Sequence, residues 1–166
     1  IGLYRTEIPF MQLEQFPSER RQVAIYRELL ESFKDKPVVI RTLDIGGDKQ
    51  LSYFPIEEEN PFLGWRGVRV TLDHPEIFLV QLRAIFKASA GLGEVKLALP
   101  MVTTLEELDE SFRLINQAFA EVEEELKDED VVLHKPQIGL ILEVPATLFQ
   151  LSVFARRVNF ISVGTN

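Results

Sequence analysis

Five short apolar runs, at residues 1–4, 37–40, 95–101, 137–142 and 160–163, are separated by longer stretches of helical period. The runs do not alternate polar with apolar residues, which is the pattern of strands buried on both faces of a parallel sheet. Strand then helix, repeated about five times with short connections, predicts an α/β fold with parallel strands, in one unit over residues 1–166. The helices have readable ends. Ser18 caps a helix whose apolar positions Val23, Tyr26, Leu30 and Phe33 share a face, and Pro37 stops it. Asn60 followed by Pro61 reads as a cap with proline at the first helical position. Asp73 and Pro75 open a further helix that Gly91 closes, and Thr104 with Glu107 forms a capping box for the longest one, reaching about Lys127.

With 46% hydrophobic residues the chain can fill a core, yet no apolar run approaches the roughly 18–20 residues of a membrane span. The absence of cysteine excludes disulfides, thiolate metal sites and cysteine nucleophiles within this stretch. The net charge of −8 is local: residues 104–130 hold 11 acids and 2 bases, and the rest of the chain sums to +1. One solvated helix and its following turn account for the acidity. A nucleic-acid surface is not expected, whereas an anion site elsewhere remains open. These features predict a soluble, cytoplasmic protein. Because the chain opens on Ile1 and stops at Asn166 directly after an apolar run, it is expected to be a piece cut at both ends.

The strand ends carry the chemistry. Residues 1–4 run into Arg5, Thr6 and Glu7; residues 38–40 into Arg41, Thr42, Leu43 and Asp44; residues 138–142 into Glu143; and the last run into Gly164, Thr165 and Asn166. Charged groups at the carboxyl ends of successive strands stand where α/β barrels and open α/β sheets gather their active sites. Arginine suits such a place because its planar, permanently charged fork matches phosphate or carboxylate oxygens with two parallel hydrogen bonds. Arg5 and Arg41, with Arg66 or Arg69 from the Asn60 helix, are candidates to hold a small, highly charged anion. Glu143 would repel that anion unless a cation stood between them, and Mg²⁺ with carboxylate and substrate oxygens is the usual arrangement. The residues thus suggest a phosphorylated or dicarboxylate substrate bound with a divalent metal. Gly46 and Gly47 serve a close backbone approach or a plain turn, and match neither a Walker loop nor a dinucleotide fingerprint.

Taken together, Gly2-Leu-Tyr-Arg-Thr-Glu7, Arg41-Thr-Leu-Asp-Ile-Gly-Gly-Asp-Lys49, Asn60-Pro-Phe-Leu-Gly-Trp-Arg66, Glu143-Val-Pro145 and Gly164-Thr-Asn166 resemble the phosphoenolpyruvate-binding barrel of enzyme I of the bacterial phosphotransferase system. Phosphoenolpyruvate synthase and pyruvate phosphate dikinase share its superfamily, and the stretch from Tyr53 to Ile77 is most similar to the nitrogen-related branch of enzyme I. The resemblance implies a (β/α)8 TIM barrel, incomplete here at about five strands against the eight strands and about 250 residues of a whole one. It implies that Arg5, Arg41, Arg66 and Asn166 contact phosphoenolpyruvate and that Glu143 is a Mg²⁺ ligand. It further implies phosphoryl transfer to a histidine on a separate N-terminal domain, then to a phosphocarrier protein of the HPr type, with release of pyruvate by a homodimer serving sugar transport or its nitrogen-related counterpart. The family's second metal carboxylate directly follows the Gly-Thr-Asn turn, and its acid cysteine and acceptor histidine lie elsewhere. None of the three is in the chain, so the isolated fragment is expected to bind weakly and not to turn over. An incomplete barrel also exposes strand edges, so self-association is expected.

Plainer roles are expected for the remaining candidates. His74 and His134 read as capping or surface residues, Trp65 as packing, Arg69 and Arg83 as ion-pair residues on helices, residues 57–59 as a solvated turn, and Lys49 as either an anion ligand or an exposed lysine. Two other functions fit parts of the sequence. Leu105, Leu108, Phe112, Ile115, Phe119, Val122 and Leu126 have the spacing of a coiled-coil seam, although three heptads with bulky Phe favour packing on a barrel wall. A Mg²⁺-dependent lyase barrel acting on pyruvate would also use arginines with a carboxylate, but the Arg41–Lys49 and Asn60–Arg66 runs tell against it.

Overall fold

Each strand runs parallel to its neighbours, and the order in the sheet is the order in the sequence. The computed structural model describes residues 2–34, 36–47, 49–57, 59–60 and 62–164. β1 (Tyr4–Arg5) is followed by α1 (Glu7–Phe10) and α2 (Glu19–Ser32), β2 (Val38–Arg41) by α3 (Val68–Asp73) and α4 (Pro75–Ser89), and β3 (Val95–Leu99) by α5 (Leu105–Glu125). β4 (Gln137–Leu142) leads through α6 (Pro145–Phe149) and α7 (Leu151–Phe154) to β5 (Phe160–Val163). The sheet order is β1-β2-β3-β4-β5. Successive right-handed crossovers that always step the same way put their helices on the same face, which is the winding of a barrel wall. Among the described residues the sheet is not closed.

Side-chain alternation divides the two faces. Val38, Ile40, Val95, Leu97, Leu99, Ile138 and Leu140 pack against Tyr26, Phe78, Leu82, Phe86 and Ile115 of the helices in the main core. The other face carries Arg41, Ala98, Gly139 and Ile141, all buried, beside the half-buried Lys96 and Phe160. A smaller cluster of Phe10, Leu43, Ile45, Leu51, Ile56 and Val70 lies under the loop that follows β2.

Most of the expected elements are present. Ser18 Oγ accepts the Arg21 N–H at the start of α2. Thr104 and Glu107 complete their capping box at α5. Several boundaries differ, and β2 is Val38–Arg41 rather than residues 37–40. β1 is Tyr4–Arg5 rather than residues 1–4, with Ile1 outside the described residues. β3 ends at Leu99 because Pro100 has no N–H for the ladder and Met101 turns to φ 59°. Asp73 ends α3 rather than opening α4, whose N-cap is His74. The helix expected from Asn60 does not form: the N–H groups of Leu63 and Gly64 both reach Asn60 O, at 3.3 and 2.7 Å, in a single turn. That turn cannot propagate because Gly67, at φ 59°, donates its N–H to Ile45 O at 3.1 Å and ties the segment to the β2 loop instead. The first helix here is α3, so Arg66 stands on a loop and Arg69 on α3.

The stripe on α5 is internal. Leu108, Ile115 and Val122 are buried in the main core, and Leu105, Phe112, Phe119 and Leu126 pack against it. Phe119 meets Phe86 of α4 edge-on at 5.6 Å. The seam spacing therefore records packing on the sheet and on α4, not a coiled coil.

Candidate active site

Arg41 is the last residue of β2, and because Ile40 packs among the helices, the Arg41 side chain emerges on the opposite face. The chain beyond it is pinned: Thr42 N–H donates to Ala98 O at 3.1 Å, and Leu43 N–H to Gln81 Oε1 at 2.9 Å. Asp44 then turns inward and is 0% exposed, against 4% for both Arg41 and Arg66. Arg66 reaches it from the segment before α3. Its Nε donates to Asp44 Oδ1 at 3.1 Å and its Nη2 to Oδ2 at 3.2 Å. Arg41 Nη1 lies 3.1 Å from the same Oδ2, and Lys49 Nζ donates to it at 2.6 Å. Gly46 backs this arrangement, since a Cβ there would stand 3.1 Å from Arg66 Cβ.

A second carboxylate holds Arg41 from its other side. Glu7, 1% exposed at the start of α1, accepts from Arg41 Nη2 and has Lys49 Nζ at 3.5 Å. Thr6 Oγ1 donates to Arg41 O at 2.9 Å and ties β1 to β2 at this point. Glu143, just past β4, is half-buried, and its Oε1 accepts the Met101 N–H at 2.9 Å. Met101 has the single positive φ among the described non-glycine residues, so this carboxylate supports a strained turn beside the cluster.

The charges have opposite effects on the two acids. Burial works to raise the Asp44 carboxyl, but the Arg66 hydrogen bonds and the charges of Arg41 and Lys49 prevail and hold it below the ordinary value. Burial pushes the Glu143 carboxyl up, and the nearby negative Asp44 adds to this against the pull of the Met101 N–H, Arg41 and Arg66. Three buried polar atoms, Glu7 Oε2, Arg41 Nε and Thr42 Oγ1, have no hydrogen-bond partner among the described residues. Buried polar groups are rarely left so unless a ligand, water or ion completes them.

The expected site residues are therefore only partly gathered. Arg41 and Arg66 meet on Asp44, with Glu143 close enough to feel all three charges. Arg5 is the register partner of Arg41 and shares its face, but it sits exposed on the outer strand. Asn166 lies outside the described residues. Lys49 is an ion-pair partner in the cluster. Arg69 pairs with Glu107 at 3.2 Å, Arg83 with Glu19 and Glu121, and Trp65 packs against both Phe54 and His74. His134 is exposed. Glu7 and Asp44 were visible as strand-end charges, but spacing alone does not distinguish a carboxylate that binds a ligand from one that holds arginines.

The family model for the PEP-utilising enzyme, PEP-binding domain, matches residues 1–166. The chain belongs to this family. Its α/β fold is accordingly of the TIM-barrel type, with five parallel strands of the wall in hand. It is 60% identical over 166 residues to a protein of Escherichia coli (strain K12) and 58% to one of Salmonella typhimurium, both named "Phosphoenolpyruvate-dependent phosphotransferase system", covering all of this chain and 22% of each relative. It is 44% identical over 167 residues to the "Phosphoenolpyruvate-protein phosphotransferase" of Staphylococcus carnosus, covering all of this chain and 28% of that protein. The chain thus spans well under a third of the length of these relatives. No described helix of this PEP-binding domain is long and apolar enough to cross a membrane.

A divalent metal must fit what is present. Among the described residues no three acids or histidines converge as a metal cage. Mg²⁺, however, is commonly held by one or two carboxylates with the remaining positions filled by substrate oxygens and water. Glu143 is a hard oxygen donor whose ionised form is disfavoured by burial and by Asp44, so a cation beside it would relieve that cost. The residues fit Mg²⁺ brought together with an anionic substrate.

Proposed function

We propose that this chain is the phosphoenolpyruvate-binding part of a phosphotransferase, which moves the phosphoryl group of phosphoenolpyruvate to a histidine on another domain and on to an HPr-type phosphocarrier, releasing pyruvate. The observation that carries this reading is the pair of buried guanidinium groups, Arg41 and Arg66, held on Asp44 and faced by Glu143 at the carboxyl ends of barrel strands. Arg5, Arg41 and Arg66 are the proposed substrate ligands, with Asn166 a fourth, and Glu143 the proposed ligand of Mg²⁺.

Charge balance favours such a substrate. Arg41, Arg66 and Lys49 are matched by Glu7, Asp44 and Glu143, so the inner cluster attracts an anion accompanied by a cation better than an anion alone. Arg5, exposed at the rim, adds the positive charge that draws the anion in. Phosphoryl transfer asks the protein mainly to position the group and to offset its charge, and forked arginines in a site screened from water do both. When bound, Mg²⁺ supplies a positive centre that draws charge from the transferring group. The arginines would orient the phosphate and carboxylate of the substrate so that the bridging bond faces outward, toward an incoming acceptor.

The identity is higher to the longer relatives, of which the chain covers 22%, than to the one of which it covers 28%, and the resemblance of the Tyr53 to Ile77 stretch supports the nitrogen-related branch. Action in the cytoplasm as a homodimer belongs to the same proposal. Incubation of the full-length protein with phosphoenolpyruvate labelled in phosphate, in the presence of Mg²⁺, tests it. Acid-labile phosphate bound to the protein is expected. Carbon–carbon cleavage without it would establish the lyase reading instead.

A further inference from the structure

We propose that Asp44 is a positioning residue for the anion site, acting through Arg41 and Arg66 rather than on the substrate itself. The inference rests on the functional reading above. Three cationic side chains converge on this one carboxylate from separate parts of the chain: Arg41 from the end of β2, Lys49 from the turn after Gly47, and Arg66 from the segment before α3. Three like charges this close repel one another and would spread apart without the carboxylate between them. With Arg66 the contact is side-on through Nε and Nη2, and a two-point contact fixes the plane of a guanidinium as well as its place. The planes of the forks decide which oxygens of a phosphate they can meet.

Stability alone does not account for the arrangement. A buried ion pair or triad is often no more stabilising than apolar side chains of the same volume. Here it also leaves Arg41 Nε and Glu7 Oε2 buried without partners among the described residues, a cost that a purely structural cluster would not retain. Asp44 lies at 0% exposure behind the guanidinium groups and remains ionised because of them, so it can align them without competing for the anion. Glu7 holds Arg41 from the opposite side. Arg41 is thereby fixed between two carboxylates, and Arg66 by Asp44.

The test is the phosphoenolpyruvate dependence of phosphoryl transfer by the full-length protein, in wild type, Asp44→Glu, Arg66→Ala and the double variant, well below the thermal midpoint of each. Asp44→Glu keeps the charge but moves the carboxylate by one methylene, so the fold is expected to persist while kcat/KM falls about 10- to 100-fold. In the Arg66→Ala background the same change is expected to cost less, about three- to ten-fold, because one of the two guanidinium groups it acts through is gone and only Arg41 remains. Unchanged kcat/KM in Asp44→Glu, or an equal loss in both backgrounds, overturns the proposal. Asp44→Asn, of the same size, is the second variant; if neither folds, Asp44 serves the fold and the proposal falls. A wild-type protein that takes no phosphate from phosphoenolpyruvate overturns the functional reading, and this inference with it.

Discussion

Gly139 of β4 and Phe160 of β5 are register partners, and the Phe160 ring lies so near the Gly139 backbone that a Cβ there would meet three ring atoms at 2.5–2.6 Å. The glycine is needed for this close approach, since its φ is unexceptional. Gly139→Ala forces the half-buried ring to turn away from the inner face and from Lys96, whose Nζ sits 6.0 Å from the ring centroid. Overpacking of this kind costs about 1–3 kcal/mol. Urea unfolding of the single and double variants checks the cause: in a Phe160→Ala background, Gly139→Ala is expected to be neutral or stabilising, because glycine weakens a strand interior. A full cost in both backgrounds would show that the backbone, not the ring, is the obstacle.

Arg83 of α4 ties α2 to α5 through Glu19, Glu121 and Glu125, and Lys87 joins Glu19 and Glu125. Burial works against ionisation of Glu19, yet Lys87 and Arg83 hold its carboxyl below the usual value. Glu121 is lowered chiefly by Gln117 and Arg83, and Glu125 by Lys87 and Arg83. For carboxylates lowered in the folded state, the stabilisation is complete above the unfolded pKa of about 4.3 and disappears as pH falls through the lower folded value. Arg83→Met is therefore expected to lose stability at pH 7 and to converge with wild type toward pH 3. Solvent screening keeps the loss near 1 kcal/mol, and it should shrink in high salt. A loss independent of pH and salt would assign Arg83 to packing through its stem.

Ile115 separates the two readings of the α5 stripe directly. It is 0% exposed in the main core, so Ile115→Asp buries an unpaired charge at a cost of several kcal/mol, a large share of the 5–15 kcal/mol that hold a domain together. The expected outcome by circular dichroism is loss of folded structure. A folded variant that sediments as a smaller species would instead assign the stripe to an interface between chains.

Much of this was legible in the sequence because the relevant forces are local or periodic. Continuous apolar runs marked β2, β4 and β5, and side-chain caps marked the starts of α2 and α5. The segment from Asn60 misled because its local signals favoured a helix, while the decisive contacts, Gly67 N–H to Ile45 and Arg66 to Asp44, come from residues about 22 positions away. The same holds for the site. The type and strand-end position of Arg41 suggested a ligand, but nothing in spacing shows that Asp44 and Glu7 would each claim one side of it. Pairing across the ends of separate strands is a tertiary property.

The loop that carries Asp44 is also fixed from behind, by a chain of buried hydrogen bonds. Gln22 Nε2 donates to Pro17 O at 2.9 Å, Tyr26 Oη to Gln22 Oε1 at 3.3 Å, Gln81 Nε2 to Tyr26 Oη at 3.1 Å, and Leu43 N–H to Gln81 Oε1 at 2.9 Å. Gln81 alone touches the loop, so its loss differs in kind from the loss of Tyr26. Gln81→Leu conserves volume but strands the Leu43 N–H, while the Tyr26 hydroxyl keeps Gln22 as its acceptor, and is expected to cost about 1–3 kcal/mol, since an unmade buried hydrogen bond carries the full cost of desolvation. Tyr26→Phe takes the partner from Gln22 Oε1 and Gln81 Nε2 but leaves the Leu43 bond intact, at a comparable cost of about 1–3 kcal/mol. With Leu43 released, Arg41 and Asp44 on either side lose their fixed spacing. Gln81→Leu should therefore also weaken phosphoenolpyruvate binding in calorimetry, whereas Tyr26→Phe leaves it unchanged. Equal effects of the two variants on binding would mean that the network supports the helices without steadying the loop.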